Sequence, residues 1–187
     1  MRPIAELRLA RLRLREWRED DWPAAHAYAS DPEVVRYMDW GPNTEDETRA
    51  FIAGTLRARQ PSPRSHYDFA VTLAESGEVI GGCRIWVESR EHLDASIGYS
   101  LARAHWGHGY ATELATGLIR FGFETLGMHR IWAIVEPENA ASARVLEKAG
   151  MQREGRLRDH RFVKGLWRDS VIYAILATDW AVTRLAR

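Results

Sequence analysis

Residues 103–112 read RAHWGHGYAT, and an apolar helix pattern follows them. Gly107 and Gly109 stand two apart, with His108 between them and an aromatic on either side, Trp106 and Tyr110. The stretch lies where a strand of small residues hands over to a helix. A bare backbone at a helix mouth suits an anion, because the first N–H groups of a helix lack intrahelical partners and the helix dipole is positive there. Three readings compete. A tight loop would use the glycines only for positive φ. A dinucleotide fingerprint needs a third glycine where Thr112 stands, and further βαβ units that the chain beyond residue 150 does not supply. A pyrophosphate held by successive backbone N–H groups is the third reading.

The strand before the loop adds a second signal. In ASIGYSL, residues 95–101, Ile97, Tyr99 and Leu101 alternate with Ser96, Gly98 and Ser100. A face of such small residues lets a ligand lie close to the backbone. A molecule with both a pyrophosphate and a long amide-bearing arm would use both features, and coenzyme A is such a molecule. Its arm would lie along Tyr99, Ser100 and Leu101. Its phosphates would sit on the loop of Trp106, Gly107, His108, Gly109, Tyr110, Ala111 and Thr112.

Working outward, LRLARLRLR at 7–15 alternates apolar and basic residues, but the phase slips at Arg11, which a bulge or a very short hairpin would absorb. Asp20 or Asp21 can cap a helix with Pro23 in its first turn, a second short helix is expected near 31–37, and Thr44 opens a third. DFAVTLA and VIGGCRIWV, joined by ESGE, read as a hairpin. After the glycine loop come a helix with Leu114, Leu118 and Phe121 on one stripe, and RIWAIV, apolar on both faces and therefore central. Two more strands follow, one within 151–163 and one at 169–176. The order predicts a single α+β domain over 1–187, with a mostly antiparallel twisted mixed sheet of about seven strands and helices on both faces.

Before those last two strands, residues 137–150 read PENAASARVLEKAG. Asn139 can cap this helix, and Ser142 shares a face with Val145, Leu146 and Ala149, so its hydroxyl should point inward. A small core hydroxyl and a plain cap explain the pair as well as a ligand does.

Composition narrows the classes. The 187 residues hold 26 Lys and Arg against 26 Asp and Glu, so no basic field points to nucleic acid or a membrane surface. Cys83 is the sole cysteine, which excludes an internal disulfide or a cysteine-built metal site. No apolar run approaches the roughly 20 residues of a membrane helix, and no signal-peptide pattern opens the chain. A cytoplasmic protein without a metal, monomeric or homodimeric, is the expectation.

Together RLRLR, SDPEVVRYM, IGYSL, WGHGYATE, PENAASARVLEKAGM and GLWRDSVIYAIL resemble the GNAT acetyltransferase superfamily, and more narrowly the ribosomal-protein N-terminal acetyltransferases. The resemblance spans about residues 7–177. It implies acetyl-CoA as donor and an amine as acceptor, for instance a protein N-terminus, with direct acetyl transfer. The family's Gln/Arg-x-x-Gly-x-Gly/Ala pattern falls on Trp106, Gly109 and Ala111, so Trp106 departs from it. Asn139 and Ser142 match the family's Asn-x-x-Ser pair, with the Ser142 hydroxyl on the leaving sulfur. Relatives often carry a glutamate base at the position of Ser96, and its absence keeps open a non-catalytic acyl-CoA sensor as the alternative. His160, with Asp159, is the candidate base near the amine; Tyr37, Met38, Trp40 and Trp86 are candidate walls for the acceptor.

Overall fold

The phase slip at Arg11 is a hairpin. β1 (Glu6–Arg8) and β2 (Leu12–Glu16) run antiparallel with Leu7 opposite Leu14, so the odd leucines of one strand and the even leucines of the other share a face. This computed structural model describes residues 6–59 and 63–185, with side chains as far as 182; the remaining positions of the expected 1–187 domain lie outside the described residues.

Helix α1 (Trp22–Ala29) begins with Pro23 in its first turn and Asp21 at its N-cap position. The Asp21 carboxylate does not cap the helix. It forms a two-pronged bond with Arg15, at 2.6 and 2.7 Å, and accepts from the Arg18 N–H at 2.7 Å. The short helix expected near 31–37 is instead a run of turns. Its start is capped, Asp31 Oδ1 taking the Glu33 N–H at 2.9 Å and Asp31 O the Val35 N–H at 3.2 Å, but the Met38 N–H then closes only a three-residue turn on Val35 O at 3.0 Å, and the buried Val34 and Val35 fill a core under α1. Helix α2 (Glu45–Arg57) starts where expected, on a reciprocal capping box between Thr44 and Glu47.

Strands β3 (His66–Leu73), β4 (Val79–Ser89) and β5 (Asp94–Leu101) form an antiparallel meander. Helix α3 (Tyr110–Glu124) then crosses to β6 (Arg130–Val135), which lies parallel to β5. Helix α4 (Ala140–Lys148) precedes the long hairpin of β7 (Gln152–Val163) and β8 (Leu166–Leu176). A helix absent from the sequence expectation, α5 (Ala177–Leu185), closes the described chain, with Trp180 against Phe123 at 6.1 Å between ring centroids. The sheet order is β1-β2-β3-β4-β5-β6-β8-β7, eight strands where about seven were expected, because the N-terminal stretch makes two.

The sheet separates two cores. On one face α3 and α4 bury Leu114, Leu118 and Leu146 against Ile85, Ile97 and Ile131. On the other, α1 and α2 enclose Trp17, Tyr28, Ile52 and Ala70. Helix α3 approaches so closely that a Cβ on Gly122 would lie 2.5 Å from Ile131 Cδ1 and 2.8 Å from Ile85 Cδ1. Among the described residues, no helix is long and apolar enough to cross a membrane.

Candidate active site

Among the described residues, the one parallel pairing of the sheet is also incomplete. β5 and β6 share three paired positions, Asp94–Arg130, Ala95–Ile131 and Ser96–Trp132, and then part. On its other side β5 stays paired with β4 as far as Leu101–Gly81. The Ala102 N–H bonds Ile80 O on the β4 side, so alternation turns the amides of Tyr99 and Leu101 toward β6, beyond the last paired position. No ladder meets them there. A cavity of about 490 Å3 occupies the opening and reaches residues of both sheet faces, Ser96, Gly98 and Ser100 on one and Tyr99, Asn139 and Ser142 on the other.

At the wide end of the opening stands the glycine loop. Gly107 and Gly109 have φ of 80° and 78°, a conformation in which L side chains are strained. Gly109 is the N-cap of α3 and no side chain caps the helix, leaving the first-turn N–H groups of Tyr110, Ala111 and Thr112 turned to the loop. Glu113, the acid of that first turn, is held aside. Its carboxylate accepts from the Arg11 backbone N–H at 2.6 Å and from Arg11 Nε at 2.8 Å. Arg11 also bonds His108 O at 2.9 Å and lies 4.6 Å from the Tyr110 ring centre, on which His108 stacks. The half-exposed Trp106 donates its indole N–H to Leu101 O at 2.8 Å, which ties the loop to the strand end. An uncapped helix start and two positive-φ glycines, with open space where a Gly107 Cβ would stand, fit a pyrophosphate.

On the α4 side, Asn139 Oδ1 accepts the Ser142 N–H at 3.1 Å and caps the helix. Ser142 Oγ is thereby aimed across the opening to the Tyr99 hydroxyl, 3.1 Å away. Burial pushes the Tyr99 phenol up to about 12, with Ser142 opposing the shift, so the phenol stays protonated at neutral pH. The sequence assigned the inward turn of Ser142 and gave Tyr99 only a place on the strand of the arm; the structure adds the polar contact between them.

The opposite face is an aromatic bowl. Tyr37, Met38, Trp40 and Trp86, the candidate walls, all line the cavity, and Phe51 and Trp132 join them. Sequence reasoning missed its charged lining: Asp39, Asp68, Arg84, Glu88, Glu136 and Arg161. Burial raises the Asp68 carboxyl above its ordinary range against the pull of Arg84, and burial likewise raises Glu136 against Arg168. Arg161 holds Asp39 at 2.8 Å. Alternation along β4 could have flagged Arg84, Trp86 and Glu88 as one face; the carboxylates of separate elements carried no such signal. His160 and Asp159 stand outside the cavity lining. His160 Nδ1 meets Ser170 Oγ at 3.0 Å on the β7–β8 hairpin, and the Asp159 backbone N–H bonds Asp169 at 2.9 Å. Among the described residues no group of three His, Cys, Asp or Glu could hold a metal ion.

Known proteins resemble this chain in sequence and fold. The acetyltransferase (GNAT) domain family matches residues 11–152, which include the splayed strand, the glycine loop and the Asn139–Ser142 turn. The chain belongs to the GNAT family. An uncharacterized N-acetyltransferase p20 of Bacillus licheniformis is 36% identical over 171 residues, 91% of this chain and 96% of that protein. The crystal structure of a GNAT-family acetyltransferase from Bacillus anthracis superimposes with a TM-score of 0.81 at 33% identity, covering 91% of this chain and 98% of that one. The [ribosomal protein uS5]-alanine N-acetyltransferase of Escherichia coli (strain K12) is 28% identical over 88% of this chain and 87% of its own. The protein is thus an acetyl-CoA-dependent N-acetyltransferase, a family whose members transfer acetyl to an amine.

Proposed function

We propose that this acetyltransferase moves the acetyl group directly from acetyl-CoA to a primary amine within a ternary complex, the whole chain acting as one domain. One observation carries the reading: the cavity passes through the sheet at the β5–β6 opening, so a donor on the α3–α4 face and an acceptor in the aromatic bowl reach one another. The acceptor class is a protein N-terminus or a small-molecule amine; the relative that acts on a ribosomal protein's alanine favours the former.

When bound, acetyl-CoA supplies an activated thioester. The glycine loop and the uncapped start of α3 bind its pyrophosphate, and the free β5 amides, those of Tyr99 and its neighbours, orient the arm and polarise the carbonyl. Tyr99 and Ser142 hold a proton for the departing sulfur. Trp86, Trp132 and Tyr37 exclude water around the amine. The one thiol near the cavity does not suit a covalent relay. Cys83 is 6% exposed, and burial, with Asp68 adding to it, pushes its thiol well above the usual value, away from the reactive thiolate.

Initial rates with acetyl-CoA and a panel of amines (an N-terminal peptide, a free amino acid, a polyamine), with products identified by mass, test the reading. Intersecting double-reciprocal lines are expected. Parallel lines, the pattern of a covalent acetyl-enzyme, would overturn it, as would loss of turnover in Cys83→Ser.

A further inference from the structure

An ammonium acceptor must shed a proton before its nitrogen can attack, and the β5 residue at the closed end of the opening, Ser96, cannot take that proton alone at neutral pH. Ser96 sits on the last paired position of β5 and β6, where the two strands begin to part. Its side chain faces the acceptor bowl with Gly98 and Ser100. Its hydroxyl donates to Glu88 Oε1, which leaves the oxygen lone pairs of Ser96 turned to an incoming donor.

Glu88 reaches Ser96 through an irregularity in the sheet. The β4–β5 register pairs Val87 with Ala95 and Ser89 with Asp94, so Glu88 is the extra residue of a bulge. Bulges re-aim side chains, and they concentrate beside active sites. In regular pairing Glu88 would stand opposite Asp94, two positions beyond the Trp86–Ser96 pair; at the bulge it bonds Ser96 while the residue stays exposed at the cavity rim.

The other ionisable groups around the bowl are engaged differently. Asp39 is taken by Arg161 at 2.8 Å. Asp94 accepts from the Trp132 indole at 3.1 Å and has Arg130 at 3.8 Å. Glu136 faces Arg168 at 3.7 Å. Asp68 lies directly opposite Arg84, and His66 packs edge-on against Trp86 at 4.9 Å. Glu88 is the cavity carboxylate whose hydrogen bond runs to a neutral hydroxyl at the closed end of the opening.

We infer that Ser96 and Glu88 form a proton exit for the acceptor amine. The ammonium gives a proton to Ser96 Oγ as the Ser96 proton passes to Glu88, and the exposed carboxyl returns it to water. The neutral amine then forms the C–N bond as the C–S bond breaks, and the second proton lost from nitrogen balances the one gained by sulfur. Ser96 touches the amine; Glu88 acts through it. This inference rests on the direct-transfer reading above.

The test measures kcat/KM for the best acceptor of the panel from pH 6 to 10 in wild type, Glu88→Gln, Ser96→Ala and Asp68→Asn. Glu88→Gln and Ser96→Ala should each lose about a hundredfold near pH 7, the low end of a positioned proton acceptor's contribution. The loss should shrink above the acceptor's own pKa, about 8 for an α-amine, while the melting shift with acetyl-CoA is unchanged. Glu88→Gln with Ser96→Glu, which puts a carboxylate at the closed end directly, should recover most of the lost rate. A wild-type profile in Glu88→Gln, a loss equal at every pH, or the pH-dependent loss appearing in Asp68→Asn instead would overturn the inference. A wild type that acetylates no amine, or shows the covalent pattern, fails the direct-transfer reading first and takes the relay with it.

Discussion

The Tyr99 hydroxyl and Ser142 Oγ lie 3.1 Å apart although 43 residues separate them, one on the splayed strand and the other in the first turn of α4. The contact unites a residue of β5 with one whose backbone N–H is already fixed by the Asn139 cap. As joint proton donors, the two should act as a unit. Tyr99→Phe and Ser142→Ala should each lower kcat about tenfold or more with little change in the KM for acetyl-CoA, and the double variant should lose much less than the product of the two. Strictly multiplicative losses would separate them.

The same phenol should register in alkaline stability. Its folded value near 12 lies above the ordinary 10, so its contribution is fully present below pH 10 and is lost as pH rises from 10 through 12. At pH 11 that loss is about 1 kcal/mol. Tyr28, whose phenol burial also pushes up, adds to it in the same direction. Denaturant titrations at pH 9 and 11 should show a smaller decline for Tyr99→Phe than for wild type.

Gly109, at φ 78° on the mouth of α3, admits no β-branched residue without strain, and a Cβ there would stand 3.5 Å from the Arg11 guanidinium. Saturating acetyl-CoA, at about a hundredfold over Kd, should stabilise wild type by about 2.7 kcal/mol, roughly 5–10 °C in Tm, and NADH should not. Gly109→Val should keep the fold but lose at least tenfold in affinity, about 1.4 kcal/mol. Equal ligand shifts in the two proteins would place the phosphates elsewhere.

Asp21 is 7% exposed and its partner Arg15 has a side chain 14% exposed, so removing the acid leaves a charge poorly solvated. Burial raises the Asp21 carboxyl, but the Arg15 and Arg18 bonds outweigh it and hold the value below the ordinary range. Its stabilisation is therefore present above about pH 4 and lost as pH falls further. Asp21→Ala should cost about 3 kcal/mol at pH 7 by chemical denaturation.

His160 points to Ser170 rather than to the cavity. His160→Gln should leave kcat/KM within about threefold of wild type and its pH profile unshifted. A hundredfold loss, on the scale of a removed base, would restore the histidine as the amine's proton acceptor.

Much of the architecture was legible locally. Thr44 with Glu47, Asn139 three residues before the Ser142 N–H, and the glycines of the loop state helix boundaries in adjacent residues, where short-range hydrogen bonds decide the outcome. The 31–37 segment misled because Asp31 and Pro32 do form a helix-like start, while the chain beyond Val35 closes only a turn and buries Val34 and Val35. The extra strand came from a phase slip whose two solutions, bulge or hairpin, have the same local pattern.

By itself, then, the sequence determined the order of the central strands and helices, the glycine loop at the mouth of α3 and the inward turn of Ser142, since each follows from periodicity or from groups within a few residues. The acceptor side was decided only in three dimensions. Asp39, Asp68, Glu88 and Glu136 come from four different segments, and Arg11 reaches Glu113 across 102 residues. Glu88 stands at a bulge in β4 beside Ser96, and β5 parts from β6 beyond the Ser96–Trp132 pair. Strand register and strand separation are set by the packing of whole layers, and no stretch of neighbouring residues encodes them alone.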